Sequence, residues 1–318
     1  MNQRLLGQTG ISVSEISFGG VEIGIPYGIG VKGTADMISE SQAIHLLHEA
    51  LSNGINFFDT ARAYGASESI MGRAFCDRRD QVVICSKCQH FRKHDGSLPP
   101  ADKLKKIINS SLQESLSELK TAFIDVYMLH QADSEILENE IIADLFTNFK
   151  IDGVIRATGV STYTLVETEK AIKSGVWDVI QLPFNLMDQS QEALFPLAAE
   201  KGIGIMVRSV LLKGILSEKG QDLHPALKDV EMHLKHYEKL LNDSTPDLTM
   251  LAIKFALSFA KVSSVLVGID RLDYLHKSLS AADNSYLTEK NLARAKQLRY
   301  PSPDFLDLTK WDRMGWLT

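Results

Sequence analysis

Cysteine is scarce in this chain of 318 residues: only Cys76, Cys85 and Cys88 occur. An odd, small count in a chain this long excludes a disulfide-stapled scaffold, so the fold must rest on hydrophobic burial. Cys85 and Cys88 do form a C-x-x-C. No second pair stands at ligand spacing and the surroundings are not thioredoxin-like, so neither a metal site nor a redox centre is expected there. A clustered basic block is also missing, and the formal net charge is -6, which argues against a nucleic-acid partner. No apolar run is long enough to span a bilayer and no signal peptide opens the chain, so a cytoplasmic protein with no membrane partner is expected. Proline is sparse, and 44% hydrophobic with 23% charged residues describes an ordinary globular protein with a sizeable core. The oligomeric state is left open.

What is present is centred on Gly54-Ile55-Asn56-Phe57-Phe58-Asp59-Thr60-Ala61-Arg62-Ala63-Tyr64-Gly65-Ala66-Ser67-Glu68. Residues 55 to 58 alternate at the period of a strand, which puts Asp59 on the same side as Ile55 and Phe57. A carboxylate closing a buried row needs a cation or several donors. Gly54 and Gly65 bracket the unit as turns, and Ser67 reads as the N-cap of a helix with Ile70, Met71 and Phe75 as its apolar stripe.

Around this stretch, helix and strand alternate. Apolar spacing predicts helices near 41–53, 67–75, 101–119, 135–148, 164–173, 191–201, 248–260 and 272–281. Short apolar runs predict strands at 16–18, 55–58, 82–86, 124–129, 154–159, 179–182, 204–207 and 264–267. Eight alternations without a linker point to one closed (β/α)8 TIM barrel, a single domain over 1–318. Residues 4–13 read as an N-terminal β-hairpin, a long Gly-rich loop runs from Gly20 to Gly33, and a helix at 288–298 precedes a tail carrying Trp311 and Trp316. A polar helical insertion around 225–241 carries Lys228, Lys235, His236 and Lys239, expected to form a solvated face.

Chemistry in a parallel barrel sits where strands end and βα loops begin. Asp59 closes the second strand with Tyr64 in the loop after it. Lys87 closes the third, inward with Val83 and Cys85, and His130 closes the fourth, inward with Val126 and Met128. Singly, each is as readily a structural ion pair or a packing histidine; together they can meet at one rim. This order and the Asp-Thr-Ala-x-x-Tyr-Gly-x-Ser-Glu motif closely resemble the aldo-keto reductases, along nearly the whole chain. The resemblance implies a hairpin plugging the barrel bottom and a tetrad of Asp59, Tyr64, Lys87 and His130. In that scheme Tyr64 gives a proton to a carbonyl that has taken a hydride, Lys87 lowers the Tyr64 pKa, Asp59 balances Lys87, and a neutral His130 orients the substrate oxygen. No side chain supplies a hydride, so a nicotinamide cofactor is implied. The absence of G-x-G-x-x-G between strand and helix argues against a Rossmann site.

The resemblance also places the cofactor contacts. Ser161 and Gln181 match carboxamide contacts, with Thr162 where the family has Asn. Arg208 stands where many members stack a Tyr on the nicotinamide, a task a guanidinium plane can share. Ser209, Leu211 and Gly214 fit the loop over the pyrophosphate. Gly268 is kept after the eighth strand, followed by Asp270 and Arg271 where many NADPH users present a cation, and Lys277-Ser278 stands where Glu-Asn often holds the adenine. NADP(H) is favoured on family grounds. NAD(H) is the rival, because a carboxylate at 270 repels a 2'-phosphate and suits a free ribose. The expected reaction is reduction of an aldehyde, ketone or sugar carbonyl, or its reverse, on a small-molecule substrate. Tyr27, Gln89, His90, Gln131 and the tail residues Trp311 and Trp316 are candidate pocket-lining groups. The competing expectation is a cofactor-bound regulatory protein, since the potassium-channel β subunits resemble the same family.

Overall fold

The computed structural model describes residues 1–317. Two short strands, β1 (Gln3–Leu5) and β2 (Ser12–Ser14), form an antiparallel hairpin. Eight parallel strands follow: β3 (Ile16–Gly19), β4 (Phe57–Asp59), β5 (Val83–Cys88) and β6 (Ile124–Leu129), then β7 (Ile155–Ser161), β8 (Val179–Pro183), β9 (Gly204–Arg208) and β10 (Ser264–Gly268). They pair in chain order, and β10 closes on β3 to complete the barrel. This is the (β/α)8 barrel that the alternation predicts.

Alternation along each strand sorts the core into two clusters. The inner one holds Phe57, Val83, Cys85, Val126, Met128, Ala157, Val179 and Met206, and the hairpin adds Leu6, Ile11 and Val13 to it. The hairpin therefore fills one end of the barrel, and the active rim must be the other. The outer cluster lies between strands and helices and includes Phe58, Ile84 and Tyr127. Cys85 belongs to the inner cluster and Cys88 to the outer, so the two thiols face opposite sides of β5 and the C-x-x-C spacing is incidental.

Three local expectations are corrected. β4 begins at Phe57, and Ile55 packs in the outer layer rather than with Phe57 and Asp59; Asn56 is held by the hairpin, accepting from the Ser14 amide at 2.6 Å. Ser67 is no N-cap: it lies inside the helix Ser67–Phe75, and its hydroxyl accepts from Thr60 Oγ1 at 2.8 Å. The single helix expected over 135–148 is two, Ser134–Leu137 and Glu140–Ile151, because Asn139 accepts from the amides of Ile141 and Ile142 and caps a fresh start.

The insertion is helical over Lys228–Leu234 with 3-10 turns on both sides, burying Val230, Leu234 and Tyr237 and leaving Lys228, Lys235, His236 and Lys239 exposed. After the helix Glu289–Gln297 the tail crosses the open end of the barrel. Trp311 is fully buried with its ring 5.6 Å from that of Phe305, and Trp316 stacks on His224. The Gly30 amide donates to the Leu317 carbonyl at 3.3 Å, and Lys213 is ion-paired with Asp312, so the tail is fastened to two barrel loops. Among the described residues, no helix is long and apolar enough to cross a membrane.

Candidate active site

The centre of the rim is a buried ion pair. Lys87 Nζ lies 2.6 Å from each oxygen of Asp59 and donates to the Thr60 carbonyl at 3.1 Å, and both side chains are almost wholly enclosed. Gln181 Nε2 donates to Asp59 Oδ1 at 2.9 Å, so the carboxylate that closes β4 has its cation and a further donor. Burial pushes the Lys87 ammonium down, but the Asp59 charge outweighs it, and the amine stays protonated well beyond neutral pH.

Tyr64 reaches this pair from the loop after β4. Lys87 Nζ stands 5.0 Å from the centroid of its ring, and the His130 ring meets it edge-on with centroids 5.2 Å apart. Burial pushes the Tyr64 phenol up to about 12, against the pull of Lys87 and with Asp59 adding to the rise. The expected lowering by Lys87 is therefore outweighed, since most of that ammonium's charge is answered by Asp59 and burial acts undiminished. Burial and the nearby cations Lys87 and Arg208, with His90, push His130 down to about 2, so its imidazole is neutral. His90 stacks on it at 4.7 Å and 24°. His90 thus touches the site through His130 and does not line the cavity; nor do Gln89, Trp311 and Trp316, whereas Tyr27 and Gln131 do.

The motif residues between Asp59 and Glu68 hold the Tyr64 loop to the barrel. Thr60 bonds Ser67, Arg62 pairs with Glu68 at 2.6 Å, and Ser86 on β5 donates to the other oxygen of Glu68 at 2.5 Å. The backbone adds Thr60 N to Cys85 O at 2.8 Å and Arg62 N to Lys87 O at 3.2 Å. On the far side the first loop packs backbone to backbone: a Cβ on Gly24 would lie 1.8 Å from the Tyr64 carbonyl, and Gly65, at φ +52, lies against Gly24.

A cavity of about 970 Å³ opens from these residues toward the tail. It is lined by Ser161, Gln181, Arg208, Ser209, Leu211, Gly214, Gly268 and Asp270, but not by Thr162 or Arg271. Thr162 is fully buried with its hydroxyl 2.7 Å from that of Thr168. Arg208 lies 4.2 Å over the Tyr163 ring and donates to the Thr162 carbonyl at 3.1 Å and to Ser209 Oγ at 3.2 Å. Ser209, Leu212, Lys213 and Gly214 all take positive φ, and the Leu212 and Gly214 amides donate within the loop to the Ser209 and Leu211 carbonyls. Asp270 Oδ1 is buried without a hydrogen bond; Arg271 stands 3.6 Å away, exposed and over the Tyr274 ring. Lys277 pairs with Asp247 at 3.1 Å. Sequence reading missed Glu22 and Tyr163 on this wall, and the tail residues Asp304, Leu308 and Asp312 that cover it. For Glu22 the signal was available: it follows the end of β3, where a closing polar residue belongs.

The cavity lining takes in Asp59, Tyr64 and His130 at the rim, the positive-φ loop after β9 and Asp270 after β10. A family model described as the Aldo/keto reductase family matches residues 15–299. The chain is 30% identical over 304 residues to the uncharacterized oxidoreductase YqkF of Bacillus subtilis, covering 92% of this chain and 94% of that one. It is 27% identical to the L-galactose dehydrogenase of Arabidopsis thaliana, over 94% and 97% of the two chains. Among solved structures, the holo form of aldo-keto reductase AKR11C1 from Bacillus halodurans superposes with a TM-score of 0.78 at 25% identity, over 94% of this chain and 96% of that one.

Proposed function

The chain belongs to the aldo/keto reductase family of oxidoreductases, and from that membership we propose that it reduces the carbonyl of an aldehyde, ketone or sugar to an alcohol, or runs the reverse, with a nicotinamide dinucleotide. The observation that carries the proposal is the enclosed Lys87–Asp59 pair with Tyr64 and a neutral His130 packed at the same rim. The cofactor, when bound, supplies or accepts the hydride; the protein's own residues handle the proton and the geometry. Tyr64, protonated throughout the neutral range, donates to the developing alkoxide. Lys87 draws charge onto the phenolate that Tyr64 becomes, Asp59 and Gln181 keep the ammonium in place, and His130 offers a ring nitrogen to the same substrate oxygen. Ser161, Gln181 and Arg208 border the nicotinamide end, and the loop from Ser209 to Gly214 borders the phosphates, with Leu211 and Gly214 as its packing surface.

The choice of cofactor turns on the far end. Asp270 Oδ1 is buried without a hydrogen bond, with Arg271 3.6 Å away, and would accept from a ribose hydroxyl and oppose a phosphate. Arg271 is engaged by Asp270 and lies over the Tyr274 ring, and Lys277 is answered by Asp247, so this wall favours NAD(H), whereas family habit favours NADP(H). Lys219, which lines the cavity and has no carboxylate partner among the described residues, is the group a 2'-phosphate would use.

Fluorescence titration with NADH and NADPH, followed by a panel of aldehydes, ketones and sugars assayed in both directions, tests the proposal. Binding with turnover is expected. Binding without turnover on any carbonyl would favour the regulatory reading, and no dinucleotide binding would overturn both.

A further inference from the structure

Glu22 follows β3 in the first loop and lines the cavity between Asp59 and Asp270. Its Oε2 is shut off from water without a hydrogen-bond partner. The carboxyl lies flat against Gly268 at the end of β10, where a Cβ would come within 1.9 Å of Oε1. No Lys or Arg stands within ion-pair distance of it among the described residues, whereas three other lining carboxylates each have a cation nearby: Asp59 has Lys87, Asp270 has Arg271 and Asp312 has Lys213. The charged groups that bear on it are Asp270 after β10, Asp59 on β4 and Lys213 after β9, with Tyr27 from its own loop. Two of these are anions, and the one cation is already held by Asp312.

A dinucleotide brings at least two negative charges into the same space. An ionised Glu22 would oppose them with no cation to screen it, whereas a protonated one would donate a hydrogen bond to a phosphate oxygen or a ribose hydroxyl. We propose that Glu22 is a cofactor-binding residue that acts as a neutral acid: the dinucleotide is held by the form of the protein in which Glu22 carries its proton. This rests on the dinucleotide reading above. Burial pushes the Glu22 carboxyl up to about 8 in the free protein, with Asp270 and Asp59 adding to the rise and its own backbone and Lys213 opposing it. The bound anion raises it further. Around pH 7 the proton is already in place and binding needs none from solvent. Above pH 8 it must be taken up as the dinucleotide enters, so affinity falls by up to about tenfold per pH unit until the bound form also ionises.

The test uses the full chain and the tighter binder of NADH and NADPH. Dissociation constants are measured by fluorescence from pH 6.5 to 9.5, and proton uptake at pH 7 and 9 by calorimetry in two buffers of different ionisation enthalpy, for wild type and Glu22→Gln. Wild type is expected to lose affinity above pH 8 and to take up a proton at pH 9 only. Glu22→Gln, whose amide still donates, is expected to match wild type within about threefold at pH 7, to bind more tightly at pH 9.5 and to take up no proton. Uptake and slope unchanged in Glu22→Gln, or absent in wild type, would overturn the proposal while leaving the dinucleotide reading intact. Failure of wild type to bind either dinucleotide would overturn both. Should Glu22→Gln misfold by circular dichroism, the wild-type proton count at pH 9 decides alone.

Discussion

At the scale of single side chains, Tyr64 sits between a cation that favours its phenolate and a dry environment that forbids it, and the dry environment wins in the free protein. The sign of the pH dependence follows. With the phenol pushed up to about 12 and His130 pushed down to about 2, neither group titrates between pH 6 and 9. Carbonyl reduction at saturating cofactor should be flat over that range, and alcohol oxidation, which needs the phenolate, should climb steadily with pH. Steady-state kcat profiles check this, and an inflection near neutrality in the reductive direction would contradict it. Asp270 offers a second test. Asp270→Arg replaces the carboxylate by a guanidinium, and should shift the NADPH to NADH ratio of kcat/KM by about tenfold or more toward NADPH. An unchanged ratio would remove Asp270 from the cofactor wall.

The three strand-end residues Asp59, Lys87 and His130 were legible because strand parity and chain order put them on inward positions of adjacent strands. Thr162 was harder to read: a hydroxyl can turn either way, and its bond to Thr168 is made with a helix whose packing no local pattern discloses. The bonds of Ser67 and Glu68 were hidden in the same way. Both look like the start of a helix, and both are in fact claimed by groups brought up from elsewhere, Thr60 on one side and Arg62 with Ser86 on the other.

Among elements, strands and helices were read from their periodicity to within a few residues, while the loops that shape the cavity were not, because their conformations are set by each other. The first loop is an instance. Ile29 donates to the Lys213 carbonyl at 3.0 Å, Gly30 to the tail, and Gly24 lies on the Tyr64 peptide. Three separate stretches of chain, the Tyr64 loop among them, thereby fix the first loop. Gly24→Ala places a methyl 1.8 Å from the Tyr64 carbonyl oxygen. Neither backbone can yield without moving the phenol, so the substitution should cost about 1–3 kcal/mol of stability and reduce kcat by about 10–100-fold. Thermal melts and steady-state rates decide; a variant with wild-type melting and rate would mean the loop is not braced there.

For the molecule as a whole, the two ends of the barrel divide the work. The hairpin seals one end with Leu6, Ile11 and Val13 against the inner core, which leaves the other end for loops and tail. There an enclosed ion pair, a phenol and a neutral imidazole face a cavity about 970 Å³ in volume. Burying Lys87 and Asp59 is costly on its own terms, and the pair is positioned where a proton must move, as the proposed reaction requires. Single-turnover oxidation of the bound reduced cofactor by a carbonyl, compared between wild type and Tyr64→Phe, tests this most directly when the dissociation constant of the cofactor is measured alongside. The account predicts a rate at least about a hundredfold lower in Tyr64→Phe, with cofactor affinity unchanged within about threefold. A Tyr64→Phe rate equal to that of wild type would contradict it.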